Sequence, residues 1–198
     1  MNADDAKRMQ RALGVGADGE IGRGTLRALF QRMGADTSTA VALALGAAVH
    51  LPAYGILDAP LRLAHFMAQV GHESGGFRYM QELGGSSYFA RYDGRADLGN
   101  SQPGDGARFH GRGPIQLTGR RNYRAYGEAL GIDFEGSPEI VAMPSIGMLV
   151  AAKYWSDHGL NALADQDDIT NITRRINGGT NGLADRTQRL ITAKEIIL

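Results

Sequence analysis

The stretch that most constrains this chain runs from Leu61 to Glu82, LRLAHFMAQVGHESGGFRYMQE. Leu63, Phe66, Met67 and Val70 fall at i, i+3, i+4 and i+7, the spacing of one helix face. Glu73 continues that stripe, seven residues after Phe66 and three after Val70. The pattern therefore aims a carboxylate at the core or at the floor of a cleft. Gly75 and Gly76 then end the helix, because glycine accepts the left-handed conformation that closes a helix C-terminus.

Apolar neighbours and the negative end of the helix dipole are both expected to raise the pKa of Glu73. A carboxyl group kept protonated near neutral pH is what a general acid requires. Glu82 lies nine residues on, beyond the glycines in a more polar stretch, where it can remain ionised. Two carboxylates in contrasting settings point to cleavage of a glycosidic bond. The plainer alternative is a buried structural Glu73 paired with an arginine, and Glu82 as a surface charge.

A chain of 198 residues is one ordinary domain, or one domain with a small appendage, and is long enough to bury a core without disulfides. It has no cysteine, which excludes thiolate nucleophiles and thiolate metal sites. Its formal net charge of zero argues against a nucleic-acid partner. The opening MNADDAKRMQ lacks the apolar run of a secretory signal, and the most apolar stretch, Ala40 to Val49, is too short to span a bilayer. A soluble protein made in the cytoplasm, monomeric and without stable membrane insertion, is expected.

Residues 4–34 read as two helices, capped by Asp4 or Asp5 and ended by Gly14, then running from Gly24 to Met33. ADTST at 35–39 reads as a short linker leading into a helix from Ala40, and residues 83–113 read as a long irregular segment. Pro114 to Thr118 reads as a brief extended piece. Helices are expected at Arg121 to Leu130, Ile146 to His158, Asp167 or Asp168 to Asn177, and from Leu183 onward. The pair Tyr154-Trp155 reads as core packing rather than a sugar-stacking surface.

The irregular segments HESGGF (72–77), RYDGRADLGN (91–100), QPGDGARFHGRGPIQLTGRRNY (102–123) and ITRRINGGTNGLADR (172–186) resemble family 19 glycoside hydrolases, in that family's order. The family includes plant-type chitinases and many bacteriophage endolysins, and the wording here is closer to the endolysins. The resemblance spans about residues 36–198. It implies a mainly α, lysozyme-like helical domain with a deep cleft and a minor β element, here preceded by a small N-terminal helical hairpin. Residues 1–35 also resemble part of a peptidoglycan-binding module, through Gln10 to Leu13, Asp18-Gly19-Glu20-Ile21-Gly22 and Thr25 to Leu29. Wall binding through residues 1–34 is one reading of that segment; a hairpin that simply packs on the main domain is the other.

Carried over residue by residue, the resemblance makes Glu73 the general acid and Glu82 the base that activates water in an inverting displacement. It places Gln116, Thr118 and Asn122 in a Gln-x-Ser-x-x-x-Asn pattern, with threonine where the family has serine. A hydroxyl at 118 can still hold the nucleophilic water, although helix capping would also explain Thr118 and Asn122. Asn177 matches a substrate-binding asparagine. Arg186, grouped with the binding residues, matches an arginine that pairs near the acid. Asn181 stands where plant members carry a glutamate, which puts the acid's partner network in question.

His72 has no second ligand at i+4, so a structural hydrogen bond explains it better than a metal. His110 lies in a segment expected to line the cleft. GRADLG and GRG lack the following Lys-Ser/Thr of a phosphate loop. Five arginines between Arg108 and Arg124, with no acid among them, can attract an anionic polymer or pair with acids elsewhere. The expected activity is an endolysin of the muramidase type acting on peptidoglycan glycan strands, with no metal or cofactor. It would accumulate in the host bacterial cytoplasm and reach the wall after release across the inner membrane. The nearest alternatives are a chitinase and a non-catalytic wall-binding protein.

Overall fold

A computed structural model describes all 198 residues. The first helix, α1 (Ala3–Leu13), is capped two or three residues earlier than the aspartates suggest. Asn2 accepts from the Asp5 amide at 2.9 Å, and the Asp5 carboxylate accepts from the Asn2 amide at 3.4 Å, a reciprocal capping box. Gly14 closes α1 in the left-handed conformation, and α2 (Arg23–Arg32) follows. The turn between them is clamped by the buried Gln10 amide. Its Nε2 donates to Asp18 Oδ1 at 2.7 Å, Glu20 O at 3.0 Å and Thr25 Oγ1 at 3.1 Å, and its Oε1 accepts from the Gly19 amide at 2.9 Å. The motif residues of this segment thus satisfy one another, as buried polar groups must.

Helix α3 (Thr37–Ala53) starts three residues before the expected Ala40. The Asp36 carboxylate caps it by accepting from the Ser38 and Thr39 amides at 2.9 and 3.0 Å. Those bonds, led by the Ser38 hydroxyl, hold the Asp36 carboxyl well below the usual carboxylate range. Pro60 occupies the first turn of α4 (Pro60–Glu73), where its missing N–H costs nothing. Every residue of α4 from Leu63 to Gly71 is buried. It is the central helix.

The long segment after α4 is neither strand nor simple coil. It holds two short helical turns, α5 (Ser86–Phe89) and α6 (Asp105–Arg108), with 3-10 turns at Ala90–Tyr92 and Ala96–Leu98. Pairing is limited to two isolated bridges, Gln81 with Arg112 and Arg112 with Leu117. The segment expected to be extended at 114–118 is instead a tight loop. Gly113 and Gln116 both take positive φ, 75° and 56°, and the Gln116 amide donates back to Gly113 O at 3.1 Å.

Five helices complete the chain: α7 (Arg120–Leu130), α8 (Pro144–Asp157), α9 (Leu160–Asp165), α10 (Ile169–Asn177) and α11 (Leu183–Ile197). Asp168 caps α10 by accepting from the Asn171 amide at 3.0 Å. Helix α4 packs against α11 and α9, and α3 packs against both α2 and α8. On α11, Leu190, Ile196 and Ile197 are buried, but Ile191 is 45% exposed because one residue is about 100° of helical turn. No helix is long and apolar enough to cross a membrane.

Met9, Leu26, Leu29 and Phe30 of the first two helices belong to the same apolar cluster as Phe66 and Trp155. Phe30 meets the Phe77 ring edge-on at 5.1 Å, so the N-terminal hairpin supports the loop that follows Glu73. Helices α3 and α8 touch backbone to backbone at Gly46. A β-carbon there would lie 2.6 Å from Ser145 O and 2.8 Å from Ser145 Cα. Gly46→Ala would gain about 1 kcal/mol of helix propensity, but the displaced backbone costs about 1–3 kcal/mol. We therefore expect a net loss of up to about 2 kcal/mol in urea unfolding; a more stable variant would show that the two helices part freely.

Candidate active site

Glu73 is the last residue of α4. The chain reverses beneath it through Gly75, Gly76 and Phe77, whose φ values are 59°, 76° and 65°. Left-handed backbone is costly at a side chain as large as phenylalanine. Phe77 holds it because its ring is fully buried and its amide donates to Ser74 Oγ at 3.0 Å. The Ser74 hydroxyl in turn donates to Val70 O at 2.6 Å.

Glu73 Oε1 accepts from Arg186 Nη2 at 2.5 Å. Arg186, in the first turn of α11, is completely buried, and its Nη1 donates to Gln69 Oε1 at 2.5 Å. Gln69 lies one helical turn before Glu73 on α4 and reaches Thr173 of α10 at 3.5 Å. This corrects the grouping of Arg186 with the substrate-binding residues: a guanidinium with no exposed surface cannot touch a sugar. It holds Glu73 instead. Beside it His72 Nδ1 bonds Asp185 Oδ2 at 2.6 Å, the structural role expected of it.

Glu82 is fixed through its backbone and its side chain together. Its amide donates to Gly111 O at 2.8 Å, and its Oε2 accepts from the Gly111 amide at 3.2 Å. Its Oε1 accepts from Tyr92 OH at 2.8 Å and from Arg91 Nη2 at 3.3 Å. Burial, and then the Glu82 carboxylate, push the Tyr92 phenol up, which keeps it a donor. The Arg91 guanidinium lies 3.6 Å over the Tyr88 ring. Glu82 is therefore a held carboxylate, and not the free surface charge of the plainer reading.

Gln116 and Thr118 reach the same place from the loop after Gly113. A β-carbon on Gly111 would lie 2.8 Å from Gln116 Oε1, 3.3 Å from Thr118 Oγ1 and 3.4 Å from Glu82 Oε2. Three polar atoms thus close on one point that only a glycine leaves open. Gln116 Nε2 is occupied by Gly113 O at 2.9 Å. Thr118 Oγ1 donates to Gln116 O at 2.9 Å, so toward any further partner it is an acceptor. Asn122 Nδ2 donates to Thr118 O at 2.8 Å. Neither side chain caps α7, whose N-cap is Gly119 with no side-chain bond.

Glu73, Gln116, Thr118, Asn122 and Asn177 line one cleft, with Leu98, Ile115 and Ile176 as its apolar walls. Glu82 does not line it directly; it stands behind Gly111, next to Thr118. Asn177, at the C-terminus of α10, is exposed. The cleft also includes Tyr154, which reading by sequence assigned to the core. Trp155 does belong there, fully buried and donating to Asn161 Oδ1 at 2.8 Å. The available signal was position alone: the helical neighbour of a core tryptophan falls at the edge of the packed face.

His110 lies outside the cleft, stacked 4.3 Å from Phe89, and burial pushes its imidazole down. The arginine run is largely spent within the fold. Arg120 pairs with Asp105 and Glu135, and Arg124 pairs with Glu135 at 2.6 Å. Arg108 and Arg112 donate to backbone carbonyls. Arg124 first, then Arg120, hold Glu135 down at about 2. No group of three His, Asp or Glu side chains converges as a metal site.

Residues 45–179 match the family described as chitinase class I, glycoside hydrolase family 19. A glycosyl hydrolase family 19 domain-containing protein of Haemophilus influenzae is 36% identical over 155 residues, 64% of this chain and 75% of that protein. An endochitinase of Arabidopsis thaliana is 35% identical over 136 residues, 68% of this chain but only 46% of the plant protein. The crystal structure of chitinase C from Streptomyces griseus superposes with a TM-score of 0.71 over 90% of this chain and 95% of that one. At 24% identity that likeness shows the fold alone. With the family matched through the cleft-forming segments and a lysozyme-like helical fold in common, the chain belongs to glycoside hydrolase family 19 and is an enzyme that cleaves glycosidic bonds.

Proposed function

We propose that the chain is an endolysin-type muramidase that hydrolyses the glycan strands of peptidoglycan by an inverting, two-carboxylate mechanism. One observation carries the mechanism. Glu73 and Thr118 open on a single cleft, while Thr118, Gln116 and Glu82 close on one point beside Gly111. Thr118 joins the two carboxylates into one site.

In this reading Arg186 engages Glu73 Oε1, and Oε2 carries the proton that passes to the glycosidic oxygen as the bond to the anomeric carbon breaks. A water on the opposite face gives one proton to Glu82 Oε2 and donates its other O–H to Thr118 Oγ1. Its lone pair is thereby turned toward the anomeric carbon. Thr118 accepts because its own proton is held by Gln116 O. One water is added, one C–O bond breaks, and the acid and base exchange protonation states. Inversion needs the carboxylates about 6.5–9.5 Å apart, room for that water. Gln116 Oε1, Asn122 and Asn177 would hold substrate amide and hydroxyl groups.

The choice of peptidoglycan rests on the endolysin-like wording of the four irregular segments and on the module-like residues 1–34. With Gln10, Thr25, Leu26 and Leu29 of that segment buried, its first role is to support the acid loop, and any wall affinity lies on its outer face. Delivery from the host cytoplasm through a membrane lesion belongs to the same proposal. A second reading, a chitinase, is favoured by the plant relatives, of which the chain spans under half.

Mass spectrometry of digests of purified peptidoglycan and of chitin oligomers, run in parallel, separates the two. Fragments with a reducing N-acetylmuramic acid end, abolished in Glu73→Gln, are expected; cleavage of chitin alone would move the protein to the second reading. Gly111→Ala tests the water site. The added methyl meets the far end of the Gln116 side chain and no backbone, so the fold should survive, while turnover should fall at least about tenfold from the displaced Gln116 and Thr118. Unchanged turnover would remove that point from the mechanism.

A further inference from the structure

Helix α8 sends two adjacent aromatic side chains to different environments. Trp155 packs edge-on to Phe66, with centroids 5.4 Å apart, and is wholly buried. Tyr154 forms part of the cleft wall, and it is the one titratable side chain there besides Glu73. Its ring is fixed by a near-parallel stack on His158, centroids 3.8 Å apart, with Tyr126 at 6.4 Å. His158 is itself tied back, its Nδ1 donating to Tyr154 O at 2.8 Å. The ring is committed to these neighbours, but the hydroxyl is not: its only partner is Arg175 O at 3.5 Å, the outer limit of a hydrogen bond. A donor held rigidly in a cleft, with its bond to protein barely made, is ready for another acceptor.

We propose that Tyr154 is a substrate-contact residue, its phenol O–H donating to an oxygen of the sugar seated beside Glu73. The contact is made by the hydroxyl and not by stacking, since His158 covers the ring. Burial, and after it the Glu73 carboxylate, push the phenol up to about 12, so it is a donor at any working pH and never a base. The inference rests on the cleft being the glycan site and holds for either glycan.

The test compares Tyr154→Phe with wild type on whichever glycan the wild type cleaves, and measures calorimetric binding of a chitin tetramer to Glu73→Gln with and without Tyr154→Phe. We expect kcat/KM to fall and the tetramer Kd to weaken, each by about tenfold, the worth of one hydrogen bond, with Tm within about a degree of wild type. Unchanged kinetics and Kd would overturn the assignment. So would a loss that tracks a lowered Tm, which would make Tyr154 a packing residue only. Cleavage of chitin in place of peptidoglycan would defeat the muramidase reading and leave the Tyr154 comparison standing.

Discussion

The site depends on the buried contact between Arg186 and Glu73. Arg186 is fully buried, and its two terminal nitrogens are divided between Glu73 and Gln69. A guanidinium so enclosed must be paired, and removing one member of such a pair costs about 3–5 kcal/mol because the other charge is stranded. The geometry also ties three helices together. Arg186 stands on α11, Glu73 and Gln69 on α4, and Gln69 reaches Thr173 on α10. Glu73 is placed by the same contact that joins the helices of the core.

The loop side of the site is built on another principle. Glu82 has no helix beneath it; its position comes from pairing with Gly111 through backbone and side chain together. The loop carrying Gln116 and Thr118 folds onto the same glycine, with Gln116 accepting a positive φ to bring its amide there. Helix-borne Glu73 and loop-borne Thr118 therefore share one cleft, with Glu82 behind Gly111 next to Thr118. The N-terminal hairpin contributes from behind: Phe30 backs Phe77, whose left-handed backbone sets the turn after Glu73.

The long helices and the position of Glu73 were legible because each leaves a local trace. The stripe from Leu63 to Glu73 has helical period, Gly14, Gly131 and Gly178 mark helix ends, and Asp168 marks a start. What was missed depends on packing across long sequence separations. The burial of Arg186 arises from residues more than a hundred positions away. The 114–118 loop looked extended because its reversal rests on Gln116 at positive φ, which no pattern of apolar residues signals. Helix α9, six residues long, is too short to show a period, and Tyr154 parts from Trp155 only because the packed face of α8 ends between them. The family resemblance supplied the pairing of Glu82 with Thr118; spacing alone left both open to plainer readings.

The most direct test of the two-carboxylate account is the anomeric configuration of the first product, followed by proton NMR in the first minutes of digestion of a β-linked oligosaccharide. Glu73 as acid, with Glu82 and Thr118 directing a water, predicts that the α-anomer appears first and then mutarotates toward equilibrium. Initial appearance of the β-anomer would mean a double displacement, and would contradict a water held by Glu82 and Thr118 as the attacking group.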